Sequence, residues 1–418
     1  MNKIKEQLKF IFAYMVTFLK WLVVATLVGA VGGIVGSIFH ISIDYVSEIR
    51  EHNSFLLYLL PIGGVIITAM YAIFAKKGKI DTNRVIASVR KNKEVPLVMV
   101  PLIFVSTVIT HMLGGSAGRE GAALQIGGGI GYNLGKLLRL SQKHSHIIIM
   151  AGMSSVFAAL FGTPITAAVF SLEVTSVGVL HYAGLFPCII SSVVAYYIAV
   201  AFGVSPVRFE GINFEAFSAP VALKVVVLAL LCALLSIAFC VSIEKCEVWS
   251  KKLLKNKYLR AFVCGLIVLA LTLVLGTTDY NGAGMNVITR AISGDANYEA
   301  FLLKIIFTAI TISAGFKGGE IVPAFFVGST FGCCVGALLG INPGFAAALG
   351  FVALFCGVVN CPIASIILSL EVFGTEGILF FAIVCSVSYM MSGYFGLYKS
   401  QKIVYSKLDD EYIDKNTL

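Results

Sequence analysis

Phe161-Gly-Thr-Pro-Ile-Thr-Ala-Ala-Val-Phe-Ser-Leu-Glu173-Val174 and Val359-Asn-Cys-Pro-Ile-Ala-Ser-Ile-Ile-Leu-Ser-Leu-Glu371-Val372 are two versions of one segment. Pro164 corresponds to Pro362 and Glu173 to Glu371, and the whole Ser-Leu-Glu-Val tetrad recurs, at a spacing of about 200 residues. Upstream, Gly114-Gly-Ser-Ala-Gly118-Arg119-Glu120 pairs with Gly315-Phe-Lys-Gly-Gly319-Glu320, and each is followed by a Gly-bearing apolar run. Matched order at nearly matched spacing marks a duplicated module, with halves of about 1–215 and 216–418. Such repeats can be parallel or inverted, and inverted ones place a substrate site at their interface, built from broken helices.

The segments around these motifs are built for lipid. Hydrophobic residues make up 58% of the 418 and charged ones 13%, with a mean hydropathy of +0.92, far from soluble domains. A helix needs roughly 20 apolar residues to cross the hydrocarbon. Weakly charged runs recur near 21–40, 55–75, 97–113, 147–172, 178–203, 221–243, 261–276, 300–315, 321–342, 345–372 and 376–398. Barrel strands would alternate polar and apolar residues in short runs, and these do not. The basic, apolar N-terminus reads as a first membrane helix rather than a signal peptide, because Lys20 interrupts it and no soluble domain follows.

The net charge of +9 sits in a few connections: Lys76, Lys77, Lys79, Arg84, Arg90, Lys91 and Lys93; Lys245, Lys251, Lys252, Lys255, Lys257 and Arg260; Lys399, Lys402 and Lys407. The positive-inside rule makes these loops and both termini cytoplasmic. They flank membrane segments and lack interleaved aromatics, which argues against a nucleic-acid partner. The ten cysteines show no CxxC pair or zinc-like spacing and read as small buried thiols.

Gly114-Gly-Ser-Ala-Gly-Arg-Glu120-Gly-Ala-Ala-Leu-Gln125 puts glycines, an arginine and a carboxylate between apolar segments. Irregular backbone is tolerated there only if it is buried in protein or lines a cavity. A loop feeding a helix offers free N–H groups and the positive end of the helix dipole, which together make an anion site. We read Gly118–Gly121 as that site, since an Arg–Glu pair at membrane depth is expensive and usually functional; Gly127–Gly129 read as close helix packing. Gly318-Gly-Glu320-Ile321-Val322-Pro323 is the repeat partner, with Pro323 suited to a first helical turn. Two convergent helix N-termini would cradle one dehydrated anion.

These residues resemble the CLC family of chloride channels and anion/proton antiporters. Gly118-Arg119-Glu120-Gly121 looks like its GREGP motif with Ala122 for Pro, Gly318–Pro323 like GGxFxP with Ile321 for Phe, and Gly396-Leu-Tyr398-Lys-Ser-Gln like the segment bearing its anion-coordinating tyrosine. The resemblance implies an all-α polytopic membrane protein of two inverted-topology repeats with broken and re-entrant helices, about eighteen helices in all. It also implies a bacterial inner-membrane location and a homodimer with one pore per subunit. No regulatory domain is expected after Leu418, and no cofactor beyond a bound chloride or other halide. By the same resemblance Glu120 is the gating glutamate. Gly118, Arg119, Gly121, Gly319, Glu320, Ile321, Val322 and Tyr398 surround the anion, with backbone N–H donors from Ile321 and Val322 and a hydroxyl donor from Tyr398. Elementary chemistry agrees: a carboxylate competes with an anion for donors, and protonation removes the competition.

Departures from the family pattern bear on the ion. Where the GSGIP serine should stand, about forty residues before Glu120 on the family's spacing, the chain has Lys76-Lys-Gly-Lys-Ile-Asp81-Thr82-Asn83-Arg84-Val85. Thr82 can supply an equivalent hydroxyl, and Asp81 or Thr82 can equally cap the helix that follows. Val174 replaces the inner glutamate of many proton-coupled members, while Glu173 and Glu371, present in both halves, read as structural. Glu320 stands where chloride members carry an apolar residue, a feature resembling the fluoride-exporting branch. Chloride is the expected ion, carried by a channel or proton exchanger, with fluoride/proton antiport as the alternative. An intramembrane enzyme would need a metal cluster, a Ser–His pair or a nucleotide motif, and none occurs. An organic-acid carrier would need an apolar pocket for a carbon skeleton.

Overall fold

The computed structural model describes residues 2–75, 81–91 and 93–418, with side chains from residue 5 onward; Lys76, Lys77 and Lys79 of the first basic connection lie outside the described residues. The first half holds helices α1 (Asn2–His52), α2 (Leu60–Phe74), α3 (Thr82–Lys91), α4 (Met99–Met112), α5 (Glu120–Leu137), α6 (Ser145–Phe161), α7 (Pro164–Glu173) and α8 (Leu185–Ala201). The second holds α9 (Ala219–Leu253), α10 (Lys257–Leu275), α11 (Met285–Ile292), α12 (Ala300–Ala314), α13 (Ile321–Leu339), α14 (Pro343–Val359), α15 (Pro362–Phe373) and α16 (Ile378–Met391). The Gly118–Gly121 motif leads into α5 and its repeat partner into α13, and the two proline-led segments form α7 and α15. Among the described residues, seven helical stretches are long and apolar enough to cross a membrane, and six shorter apolar helices have 10–17 residues. The chain is an all-α, polytopic membrane protein.

The helix total departs from the expected eighteen for two local reasons. Residues 2–52 contain no proline, and α1 runs unbroken for 51 residues. After α16 the polar tail extends instead of coiling: β2 (Lys402–Tyr405) pairs in parallel with β1 (Ser176–Val177), and β3 (Tyr412–Asn416) pairs antiparallel with β2. The apolar runs 147–172 and 345–372, each read as one segment, are each two helices. Gly162 (φ 69°) and Asn360 (φ 57°) end α6 and α14 in the left-handed conformation, and Pro164 and Pro362, lacking an N–H, begin α7 and α15.

Small residues let the helices approach closely. A Cβ on Gly127 would lie 2.2 Å from the Gly152 carbonyl oxygen, and one on Gly328 would lie 2.3 Å from that of Gly350. So α5 crosses α6, and α13 crosses α14, backbone against backbone, as expected of helices in lipid. On α1, Gly29 and Gly33 meet α8 while Gly32 and Gly36 meet α6.

Glu173 and Glu371 join the halves reciprocally. The Glu173 carboxylate accepts N–H groups of Ile363 (3.2 Å) and Ala364 (2.9 Å) in the first turn of α15. The Glu371 carboxylate accepts those of Ile165 (3.0 Å) and Thr166 (2.8 Å) in the first turn of α7. Each carboxylate thus satisfies orphan donors and complements the positive end of a helix dipole. Charge-assisted bonds of this kind contribute ~1.5–3 kcal/mol. Glu173→Ala or Glu371→Ala should therefore lower the thermal denaturation midpoint of the detergent-solubilised protein by several degrees while the pH profile of transport keeps its shape. An unchanged midpoint would contradict the capping role.

Candidate anion site between two helix N-termini

Gly118 and Gly319 face each other as an isolated antiparallel bridge. The N–H of Gly118 donates to the Gly319 carbonyl at 2.7 Å, and the N–H of Gly319 donates to the Gly118 carbonyl at 2.7 Å. Equivalent residues of the two motifs are thereby bonded to each other, and α5 and α13 begin immediately beyond them. At Gly319 no larger residue fits, since a Cβ would lie 2.5 Å from the Gly121 nitrogen; a Cβ on Gly118 would lie 2.3 Å from Glu120 Oε2, the end of a side chain. The glycines serve close approach, and their own N–H groups are engaged with each other rather than free for a ligand.

Glu120 is fully buried at the first position of α5. Its Oε2 accepts the N–H of Arg119 at 2.9 Å and that of Val322 at 3.3 Å, while Oε1 has no partner. The side chain from one helix start thus occupies donors at the start of the other. Ile321 opens α13 and is buried, with Glu320 as N-cap. Glu320 interacts electrostatically with both Lys317 and Glu120. Two acids therefore act on one small region at membrane depth.

The Arg119 side chain turns toward α1. Its Nη1 donates to Asp44 Oδ1 at 2.8 Å, and Asp44 Oδ2 lies 2.9 Å from His40 Nε2. The guanidinium is held by α1, and Arg119 offers the site its backbone N–H. Thr82 is clarified as well. Asp81 Oδ1 accepts the Arg84 N–H at 2.9 Å and is the cap of α3, whereas the Thr82 hydroxyl donates to the Gly121 carbonyl at 3.3 Å and accepts from Gln125 Nε2 at 3.1 Å. Its hydroxyl therefore lies beside the first turn of α5.

Tyr398 is buried, and its hydroxyl has no partner. Glu320 and Glu120 act on it electrostatically. Its backbone is fixed from several directions. The Gln401 N–H and the Thr417 hydroxyl both donate to its carbonyl at 2.7 Å. Ser400 donates its N–H to Asn83 Oδ1 on α3 at 2.8 Å, and Arg90 of α3 donates to the Ser400 carbonyl. The structure thus brings Glu120 onto the Val322 N–H and Thr82 onto the Gly121 carbonyl, while Glu320 and Tyr398 are linked to them by electrostatic interaction alone.

Sequence reasoning missed Gln125, Asp44 and Lys317. Gln125 lies within the quoted glycine motif, one helical turn past Gly121. Asp44 was detectable as a carboxylate four residues after His40 in an otherwise apolar run. A cavity of about 370 Å³ reaches Glu120 and Val322 from the side of Arg50, His111, Asp279 and Asn281. It gives the Glu120 carboxylate a polar approach whose lining does not include Thr82.

The geometry is matched by likeness to known proteins. Residues 63–393 fit the model of the voltage-gated chloride channel family. A chloride/fluoride channel protein of Pseudomonas syringae pv. tomato is 34% identical over 93% of this chain and 87% of its own length. The proton/chloride exchange transporter ClcA of Vibrio vulnificus is 27% identical over 84% of this chain and 81% of its own. Among solved structures, a CLC-type fluoride/proton antiporter superposes with a TM-score of 0.87 at 31% identity, covering 92% of this chain and 98% of that one. A slow cyanobacterial chloride/proton antiporter superposes at 0.76 with 19% identity, over 89% and 94% of the two chains, which speaks for the fold. The chain belongs to the voltage-gated chloride channel family, the CLC transporters of small anions.

Proposed function

We propose that this chain exchanges fluoride for protons across the membrane that holds it. The observation that carries the reading is Glu320 at the N-cap of α13, a second acid electrostatically coupled to Glu120 beside one set of anion donors. The solved fluoride/proton antiporter, 31% identical, lends support. Fluoride is small, strongly hydrated and the strongest hydrogen-bond acceptor among the halides. A site that removes its water must offer strong donors in return. A protonated carboxyl group is such a donor and favours fluoride over chloride. Chloride is the second reading, favoured by the unpaired Tyr398 hydroxyl and by the name of the 34%-identical relative.

The mechanism follows from competition. While Glu120 is ionised, its Oε2 holds the N–H groups of Arg119 and Val322. Protonation removes its charge, weakens that hold and leaves the donors to the anion. Anion arrival and proton uptake are thereby linked. Glu320 takes the proton onward on the inner side, where Val174 leaves no carboxylate. Glu120 is the gate; Gly118, Arg119, Gly121, Gly319, Glu320, Ile321, Val322, Thr82 and Tyr398 frame the anion. The duplicated halves, about 1–215 and 216–418, are inverted; the reciprocal Glu173 and Glu371 caps and the Gly118–Gly319 bridge support this. The basic loops face the cytoplasm with both termini, the membrane is the bacterial inner membrane, and the working unit is a homodimer.

Side-by-side efflux of fluoride and chloride from proteoliposomes under an imposed proton gradient should show fluoride preferred and driven uphill. Chloride preference would overturn the ion assignment. Glu120→Gln should abolish the acceleration of wild-type flux by acid, and an unchanged pH profile would contradict gating. Gly118→Ala intrudes on Glu120 Oε2 and weakens a hydrogen bond of about 1.5 kcal/mol, so the gate's hold on the donors should loosen roughly tenfold. Its pH profile should flatten accordingly, and a wild-type profile would contradict the close approach.

A further inference from the structure

A cavity of about 190 Å³ lies between α2, the start of α10 and the loop that leads into α13. Tyr71, Lys257, Arg260, Gly315 and Lys317 line it, and no carboxylate among the described residues does. Lys257 is exposed at the first position of α10. One turn inward, Arg260 uses Nη1 on the Leu254 carbonyl (3.2 Å), while its buried Nε has no acceptor among the described residues. Deeper, the Lys317 ammonium rests over the Tyr71 ring, 4.4 Å from its centroid. Exposed Lys257, half-buried Arg260 and Lys317 thus line one cavity beside the loop that leads into α13. Lys317 stands three residues before Glu320 and interacts electrostatically with Glu320, Asp81 and Glu247.

Positive loops at a membrane surface explain Lys257, but not the two cations turned inward. A buried guanidinium N–H without an acceptor is costly, and cations at membrane depth usually mark an ion pathway. At ~30 Å³ per water, the cavity holds a small anion with part of its hydration shell. We propose that this cavity is a second anion-docking site, an antechamber on the basic-loop face where a small inorganic monoanion binds Arg260 and Lys317 before passing to the site at Glu320 and Tyr398. The proposal rests on reading the chain as a small-anion transporter oriented with its basic loops in the cytoplasm. Low-dielectric walls around like charges focus the local field and raise anion concentration at the inner mouth.

Fluoride and chloride transport by the full-length protein in proteoliposomes, with the anion presented to one face at a time, tests this. Arg260→Gln should raise the half-saturating concentration at the cytoplasmic face by about threefold or more, with the opposite face unchanged and the maximal rate retained. Lys257→Gln, at the exposed mouth, should give a smaller rise that added inert salt removes. It serves as the test if Arg260→Gln fails to insert. An unchanged cytoplasmic half-saturation, or equal changes at both faces, would overturn the antechamber. Absence of halide flux in the wild type would instead overturn the transport reading itself.

Discussion

An anion inside a bilayer needs hydrogen-bond donors that the protein has not already used, and helix N-termini are where an α-helical protein has them. The bridge between Gly118 and Gly319 brings two such termini together. Across its two 2.7 Å bonds a side chain at Gly319 would meet backbone, and one at Gly118 would press on the Glu120 carboxylate. The start of α13 is then close enough to α5 for Glu120 to reach the Val322 N–H. Gate, donors and competition all follow from that approach.

The remainder of the molecule fixes this arrangement. Glu173 and Glu371 lock α7 and α15 together by capping each other's partner helix. The small C-terminal sheet and the contacts of Gln401 and Thr417 hold Tyr398 in place from a tail that is mostly polar. Arg119, anchored on Asp44 of α1, sets the direction in which the chain enters α5. Glu120, the proposed gate, is thus mounted on a frame with few degrees of freedom.

The recurring motifs, the glycine-rich loop and the acid in it were readable in the sequence because each rests on residue type and order. Glu120 meets Val322 across the two motifs. Less legible were features decided by distant partners. Asp44 claims Arg119 from 75 positions away, and only coordinates show that Asp81 rather than Thr82 caps α3. The breaks at Gly162 and Asn360 were hidden because both sides of each break are apolar, so hydropathy runs straight through them. The tail strands were missed since β1 has only two residues and pairs with a segment far along the chain.

The central claim is that Glu120 and the anion compete for one set of donors, so that binding the anion requires a proton. Calorimetric titration of fluoride into the purified protein, repeated in buffers of different ionisation enthalpy near neutral pH, measures the protons taken up per anion bound. The account predicts proton uptake in the wild type that Glu120→Gln, which should still bind, lowers by up to about one proton. Proton-free binding by the wild type, or uptake that is unchanged in Glu120→Gln, would contradict it.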